Sequence, residues 1–155
     1  MTSQDEAAAG VAAIKIVRAG HGNQLNVLGD SQTIKISGKE TNGKFTVIEN
    51  FNEPGIGIPM HVHENEDEIF HIIEGEMEFT LENETRILKK GDMIFLPRKV
   101  PHAFKCIGNH KTKAVVTVVP SGIEDMFKSL SELPVGPPDF ENVMRICGEF
   151  GIRFV

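Results

Sequence analysis

Short apolar or alternating runs recur along the first 120 positions of the chain, and turn residues separate them. The runs occupy 14–18, 25–28, 33–37, 44–51, 58–63, 68–73, 76–81, 85–88, 93–96, 102–107 and 113–119. Pairs such as Asn42-Gly43 and Lys90-Gly91 between the runs are typical of hairpin turns. Strand-length segments at this spacing predict an antiparallel all-β protein, built as a sandwich or a barrel.

The two ends of the chain follow other patterns. Residues 1–13 are polar and then alanine-rich without periodicity, which predicts a frayed, flexible terminus. After the last run, Ser121-Gly-Ile-Glu124 has the spacing of a capping box, and apolar residues follow at helical intervals. These residues are Ile123, Met126, Phe127 and Leu130. A second helical pattern covers 139–149, between a proline-rich break and Gly151.

Three segments follow from these patterns: a flexible terminus over 1–13, a β-barrel over 14–120 and a helical tail over 121–155. We expect the tail to form two short helices that pack on the barrel and cover an outer sheet face. A lid over the barrel is the alternative. A stripe of methionine and phenylalanine at helical spacing favours the first interpretation, because such a stripe is more often core.

Composition narrows the classes of function. With 155 residues, 40% hydrophobic content and no long apolar run, the chain predicts one soluble domain that does not enter a membrane. Its net charge of −6 and its lack of a lysine and arginine stripe argue against a nucleic-acid surface. The start of the chain lacks the charge order of a secretory signal, and its two cysteines are too few for a disulfide framework. A cytoplasmic location is therefore expected.

His61-Val62-His63 is the most informative motif of the chain. Alternate side chains of a strand share a face, so both imidazoles lie on one side with Cα atoms roughly 6.5 Å apart. Metal–nitrogen bonds are only about 2.1 Å long, so ligands from neighbouring strands must complete a site. Glu68 and His102 are the candidates. The competing interpretation is a solvated acidic loop with two surface histidines, and the placement of His102 after an apolar strand and two prolines argues against it.

Two stretches around these residues resemble the two motifs of the cupin superfamily. Residues 55–75 contain glycine, His-x-His, glutamate and glycine at the spacing of the first motif, and residues 91–102 contain the glycine, proline and histidine of the second. Lys99 stands where the family usually has glycine, and Cys106 stands where it usually has asparagine. A glycine tolerates positive φ, which costs a bulky residue about 1 kcal/mol or more.

The resemblance implies an antiparallel double-sheet jelly-roll barrel with the metal inside. The ligands that it implies are His61, His63, Glu68 and His102. Glu68 is the carboxylate that the motif designates, and it begins a strand, whereas Glu64, Glu66 and Asp67 are expected to be solvent-exposed turn residues. His71 lies three residues beyond Glu68, and we therefore expect it on the opposite face.

Three neutral imidazoles and one carboxylate leave one or two positions of a divalent ion free, which is typical of a catalytic site. Nitrogen and oxygen ligands suit Fe, Mn, Co, Ni or Zn without choosing among them. Cys106 would share a face with His102 on a strand, but a packed thiol is the more common role of a buried cysteine. We therefore expect one divalent transition metal, held without cysteine.

The wall around this ion is expected to be apolar. Its inward candidates are Met60, Phe70, Ile72, Met77, Phe79, Phe95 and Phe104. The chain has ten phenylalanines and no tryptophan or tyrosine. Such a wall suits an apolar or aromatic small-molecule substrate, whereas an enzyme for oxalate or a sugar phosphate would want an inward arginine or lysine.

The single barrel followed by a proline-broken helical tail is similar to bacterial cupins related to quercetinases. This resemblance implies a flavonol-type dioxygenase, in which Glu68 removes a proton from a substrate hydroxyl as general base. Glu68 can fill both roles if its carboxylate leaves the ion and meets a dry pocket that raises its pKa.

Two alternatives to a dioxygenase stay open. One is a non-catalytic small-molecule binder, and the other is a metal-dependent isomerase or epimerase, which would need a second acid–base group across the cavity. A further expectation concerns assembly. Residues 68–73 are apolar on both faces, so the outer face needs a cover, and we predict a homodimer.

Overall fold

The computed structural model describes residues 10–155, which form a mainly antiparallel β-protein. The elements are β1 (Asn23–Val27), β2 (Asp30–Ile36), β3 (Thr46–Asn52), β4 (Gly57–His63), β5 (Asp67–Glu74), β6 (Glu76–Thr80), β7 (Thr85–Lys89), β8 (Met93–Leu96), β9 (His102–Ile107), β10 (Thr112–Val119), α1 (Ile123–Ser131), α2 (Phe140–Glu149) and β11 (Ile152–Phe154). The strands expected from residue 25 onward all form, most of them with shifted ends. The sequence pattern did not predict β11.

The strand expected at 14–18 does not form. No strand of the described chain pairs with this segment, so its backbone groups form no sheet hydrogen bonds. The side chain of Ile14 is 96% exposed. The frayed terminus expected over 1–13 falls largely on residues that lie outside the described range. Among residues 10–155, neither helix is long and apolar enough to span a membrane. The cytoplasmic location stays a prediction.

Two sheets face each other. The six-stranded sheet has the order β1-β2-β3-β10-β5-β8, and the five-stranded sheet has the order β11-β4-β9-β6-β7. All pairings are antiparallel. Because strands that are close in sequence cross between the two sheets, the arrangement is a double-sheet jelly roll. The predicted fold class is confirmed.

Inward side chains of the six-stranded sheet form three buried rows across β5, β10 and β3. The rows are Glu68, Val118 and Thr46; Phe70, Val116 and Ile48; and Ile72, Ala114 and Asn50. Burial of each large apolar side chain in the middle row stabilises the fold by about 1.5–3 kcal/mol. Glu68 and Asn50 therefore lie at opposite corners of a largely apolar surface, and Thr46 is the third polar member of the outer rows.

Glu124 anchors α1 to the barrel. Its carboxylate accepts hydrogen bonds from the backbone N–H of Gly38 and from the Thr46 hydroxyl, both at 2.7 Å. It also accepts from the N–H of Gly122 at 2.8 Å. The predicted capping box forms only in its carboxylate half, because Gly122 rather than Ser121 is the N-cap residue and has no side chain to accept a hydrogen bond.

Both helices line the interior of the protein. Their cavity-lining residues are Met126, Phe127, Leu130, Val143, Met144 and Cys147. The expectation that the helices cover an outer sheet face is therefore wrong, and the alternative of a cover over the barrel is nearer to the structure. The reason is that α1 contacts β1 and α2 contacts β11, the outermost strands of the two sheets.

The turn between β8 and β9 keeps a positive φ although it lacks the usual glycine. Lys99 has a φ of 69°, in the left-handed region. Its backbone N–H donates to the carbonyl oxygen of His63 at 2.7 Å, which ties the turn to the end of β4. The protein therefore retains the turn and accepts a strained lysine in it.

The outer face of β5 and β8 is apolar and partly uncovered. Met93 and Phe95 of β8 are 61% and 60% exposed, and they pair with His71 and Ile69 of β5. His71 therefore lies on the outer face, opposite to the face of Glu68. The homodimer predicted from the sequence stays a prediction, for which this face is the natural contact surface.

Replacement of Lys99 by glycine should stabilise the protein. We expect the free energy of unfolding to rise by up to about 1 kcal/mol, because the left-handed penalty of a side chain is offset only in part by the unfolded-state entropy of glycine. Denaturant unfolding of Lys99→Gly measures the change. Lys99→Ala is the control, since it keeps the β-carbon and should gain nothing. Equal stability of the two variants would contradict the explanation.

Replacement of Phe95 by aspartate should separate the predicted homodimer. A charge on the outer face of β8 would be desolvated in an interface, so the variant should sediment as a monomer at micromolar concentration. The control is Ile87→Asp, which places the same charge at an exposed apolar position of β7 in the other sheet. A wild-type protein that sediments only as a monomer would reject the homodimer.

Candidate metal centre

β4 and β9 bring two of the histidines together. The register of the two strands shifts between Ile58 and His61, so that His61 lies opposite His102. The irregularity includes Pro59, which has no N–H to give to the sheet. His63 shares the face of His61 because the two residues alternate along β4.

Glu68 reaches the histidines from the facing sheet. It pairs with Val118 of β10 and Leu96 of β8, and all three side chains are buried. Because Phe70 follows on the same buried face, the inward side of β5 contains Glu68. The ligands therefore come from both walls of the barrel, and only the closed fold brings them within reach of each other.

The side chains of the four predicted ligands converge on one point. His61 Nε2 lies 3.1 Å from His63 Nε2, His63 Nε2 lies 3.4 Å from Glu68 Oε2, and His102 Nε2 lies 3.1 Å from the same oxygen. One donor atom of each residue lies within 4.8 Å of the others. All four residues are buried, with at most 6% of their surface exposed.

The second nitrogen of each imidazole faces an acceptor. His61 Nδ1 lies 2.8 Å from the carbonyl oxygen of Pro59, and His102 Nδ1 lies 3.3 Å from that of Val100. A carbonyl can only accept, so Nδ1 of both rings donates to it. Nε2 of each ring is then the atom that would bind a metal ion.

Glu66 orients the remaining ring, and the sequence analysis missed it. Its Oε2 lies 3.4 Å from His63 Nδ1, and Glu66 is only 7% exposed. The expectation that Glu66 is a solvent-exposed turn residue is therefore wrong. The contact is longer than a good hydrogen bond. Within an acidic run, no sequence signal singles out the one carboxylate that turns inward.

The groups of the site influence each other's protonation. Burial, followed by the charge of His102, lowers the pKa of His61 to about 4. Burial also acts to lower the pKa of His63, but the hydrogen-bonding and charge effects of Glu66 and Glu68 outweigh it and raise that pKa. His61 is therefore neutral at physiological pH, as a metal ligand must be.

Glu68 stays ionised inside the barrel. Burial acts to raise its pKa, but the hydrogen bond with His102 and the charges of His63 and His102 outweigh burial, so the pKa lies below its ordinary value. The condition that a dry pocket raises this pKa is therefore not met in the described site. The reason is that the imidazoles compensate the desolvation of the carboxylate.

The donor set fits one divalent transition metal. Three imidazole nitrogens and one carboxylate oxygen match the ligand types that Fe, Mn, Co, Ni or Zn take. Three of the four residues, His61, His63 and Glu68, also line the cavity. The cluster could therefore hold a metal with an open position.

A cavity of about 620 Å³ opens beside the four ligands. Of the seven expected wall residues, Phe70 and Phe104 line it, with their ring centroids 5.2 Å apart. Three others are buried in the core behind the wall: Ile72, Met77 and Phe79. The size suits a ligand of two or three rings.

Two of the expected wall residues lie elsewhere. Phe95 is 60% exposed on the outer face, because it pairs with Ile69 while its neighbour Leu96 pairs with Glu68. Met60 precedes His61 in β4 and therefore faces away from the metal side. Both predictions are wrong because the alternation of side chains along β4 and β8, and not apolar character, decides which way these residues face.

Elements after the barrel complete the cavity. β11 pairs with β4, which places Ile152 opposite His63 and Phe154 opposite His61, with the rings of Phe154 and His61 6.3 Å apart. The mouth carries exposed apolar side chains that line the cavity. These are Leu28, Phe140 and Met144.

Cys106 is a packed thiol in the structure. It pairs with Met77, is 3% exposed and lies outside the four-residue cluster found among the described residues. Burial, followed by the charge of Asp30, raises the pKa of its thiol to about 11. A thiol that stays protonated at neutral pH does not compete for a metal ion.

Comparison with known proteins agrees with this geometry. Residues 49–119 match the family model described as Cupin domain. Quercetin 2,3-dioxygenase of Bacillus subtilis (strain 168) is 28% identical over 117 residues, which are 76% of this chain and 34% of that protein. The chain therefore spans about a third of the length of this curated relative. Residues 49–119, just under half of the chain, therefore match a Cupin domain, and the two-sheet fold agrees with that match.

Solved structures share the architecture. KdgF from Halomonas sp. superimposes with a TM-score of 0.63 at 20% identity, over 72% of this chain and 99% of that chain. The polyketide cyclase RemF from Streptomyces resistomycificus gives a TM-score of 0.58 at 26% identity, over 70% of this chain and 80% of that chain. Proteins with different names and activities therefore share this barrel. The fold alone does not identify the function, which has to be inferred from the site.

Replacement of Glu66 by glutamine should weaken metal binding by about 10- to 100-fold, because His63 loses the charge that orients it and increases its basicity. Titration of the metal-free protein against a competing chelator measures the affinity. The control is Glu64→Gln, whose carboxylate is turned to the surface and accepts a hydrogen bond from Arg153 at 3.0 Å. Equal affinities of wild type and Glu66→Gln would show that Glu66 does not orient the ring.

Proposed function

We propose that this protein is a metal-dependent dioxygenase that acts on a hydroxylated aromatic compound of the flavonol type. The observation that carries the proposal is the position of the buried three-histidine, one-glutamate cluster at the wall of an apolar cavity of about 620 Å³. The similarity to a quercetin 2,3-dioxygenase over 76% of the chain supports the same class of substrate.

The cavity wall favours an uncharged aromatic ligand. Phe70 and Phe104 offer ring faces and edges, and aromatic pairs gain about 0.5–1.5 kcal/mol beyond the burial of their area. Among the described residues, no lysine or arginine lines the cavity. A dianionic acid or a sugar phosphate would therefore be desolvated without a compensating charge.

The ligands, the carboxylate of Glu68 and the apolar wall have different roles in the proposed reaction. A bound divalent ion would supply Lewis acidity and would favour the ionised form of a substrate hydroxyl. Glu68 is ionised at neutral pH and lies beside the open side of the cluster, where it accepts the hydroxyl proton as general base. Its lowered pKa makes it a weaker base than a carboxylate in an apolar pocket, but ensures that it is in the reactive state. The apolar wall excludes water from the activated ring.

A non-catalytic binder is the competing proposal, because the same cavity would hold an aromatic ligand without turnover. The isomerase or epimerase is less well supported. Its second acid–base group would have to come from the cavity wall, where Asp30 is the remaining carboxylate of the described chain. Three side-chain amides already donate to Asp30.

Oxygen uptake with flavonols tests the proposal. The protein loaded with Fe, Mn, Co, Ni or Zn should consume dioxygen with at least one flavonol. Glu68→Gln should lower kcat by about 100-fold or more, since general-base catalysis contributes about 10²–10⁴. It should retain flavonol binding, because a carboxamide oxygen still ligates a metal.

Metal content is measured on every sample, so that loss of the ion is distinguished from loss of the base. Glu64→Gln is the matched control and should keep full activity. Flavonol binding without oxygen uptake for all five metals would reject the dioxygenase and leave the binder.

A further inference from the structure

A buried polar cluster lies on β2 and β3, away from Glu68. Asp30 accepts hydrogen bonds from the side-chain amides of Gln32 at 2.9 Å, of Asn50 at 3.0 Å, and of Asn52. Gln32 and Asn50 are register partners on neighbouring strands and are only 4% and 8% exposed. The metal centre does not involve this cluster.

Asp30 determines which way the amides point. An ionised carboxylate can only accept hydrogen bonds, so each amide turns its NH₂ group toward Asp30. The amide oxygens of Gln32 and Asn50 are consequently turned away from it, and both residues line the cavity. Neither Gln32 Oε1 nor Asn50 Oδ1 has a hydrogen-bond partner within residues 10–155. Buried acceptors without a donor cost free energy, which a ligand hydroxyl would recover.

Asn52 provides a comparison within the same cluster. Its NH₂ group also donates to Asp30, but its Oδ1 accepts a hydrogen bond from the backbone N–H of Ser31 at 2.8 Å. Asn52 does not line the cavity. It is thus a satisfied structural amide, whereas the two amides that face the cavity are only half satisfied.

The cluster and the metal ligands lie at opposite corners of the six-stranded sheet. Asn50 is in the row of Ile72 and two strands away from it, and Glu68 precedes Ile72 by four residues. The strand spacing and the rise per residue then separate the Cα atoms of Asn50 and Glu68 by roughly 16 Å. Phe70, with the rest of the middle row, lies between them. A ligand that reaches both corners must be elongated and apolar in its middle.

We propose that Gln32 and Asn50 form a polar subsite that accepts hydrogen bonds from a hydroxyl group at the end of the substrate remote from the metal. The inference rests on the proposed function in so far as the other end of the same substrate binds at the metal. The subsite favours aromatic compounds with hydroxyl groups at both ends over those that lack a hydroxyl at the end remote from the metal. The Asp30 carboxylate behind the two amides favours a donor there and disfavours an anion.

Binding of matched flavonol pairs tests the subsite. The two members of a pair differ by one hydroxyl on a ring remote from the hydroxyl that binds the metal. One series of pairs varies the ring at one end of the flavonol, and a second series varies the ring at the other end. The zinc-loaded protein is titrated under anaerobic conditions, which separates binding from turnover. Absorbance of the flavonol reports binding without interference, since the chain has no tryptophan or tyrosine.

The wild-type protein should favour the hydroxylated member by about tenfold at one ring position, as expected for a donor that pairs with buried acceptors. Gln32→Leu should reduce this ratio to within twofold of unity, and Asn50→Leu serves the same purpose if Gln32→Leu does not fold. Asn52→Leu is the matched control, because it removes the same contact to Asp30 and leaves the unpartnered oxygens of Gln32 and Asn50 in place. It should keep the preference.

Three results would overturn the subsite: no preference in the wild type at any ring position, no binding of either member, or an equal loss of preference in Asn52→Leu and Gln32→Leu. Failure of the proposed function is a different result. Preference without oxygen uptake would reject the dioxygenase and support the subsite. Oxygen uptake without preference would reject the subsite and leave the dioxygenase.

Discussion

The structure depends on the burial of one carboxylate among three imidazoles. An unpaired charge in this apolar interior would be costly, and Glu68 is tolerated there because His63 and His102 stand 3.4 and 3.1 Å from its oxygen. Backbone carbonyls and Glu66 in turn hold the far sides of the rings. Each of these contacts requires a fixed register between strands, so the chemistry of the site and the geometry of the two sheets constrain each other.

This arrangement also makes the two ends of the cavity polar and its middle apolar. Polar groups occupy two opposite corners of the six-stranded sheet, and phenylalanine and aliphatic side chains lie between them. The helices and β11 then close the space that the barrel leaves open. The C-terminal tail is therefore part of the binding cavity. Variation there would change the ligand without any change at the metal.

Local patterns predicted a large part of the molecule. Alternation and turn residues located β1 to β10, helical spacing located α1 and α2, and two short motifs placed the four ligands on strands that meet. The misses share a cause. The apolar character of Phe95 and Met60 predicts an inward position, but pairing with Ile69 turns Phe95 outward and the position next to His61 turns Met60 outward. The 14–18 run has the composition of a strand but no partner strand in the described chain.

Alternation and turn residues predict an antiparallel sandwich or barrel, and the resemblance of two short motifs to those of the cupins implies the jelly roll and the four ligands. Such patterns extend over a few residues and can be recognised locally. Contacts in the folded molecule, by contrast, turn Glu66 inward, pair Ile152 and Phe154 with β4, and place Gln32 and Asn50 at the cavity wall. Those features arise from contacts between residues far apart in the chain. Which partner a side chain meets there depends on packing, and a short pattern contains no information about it.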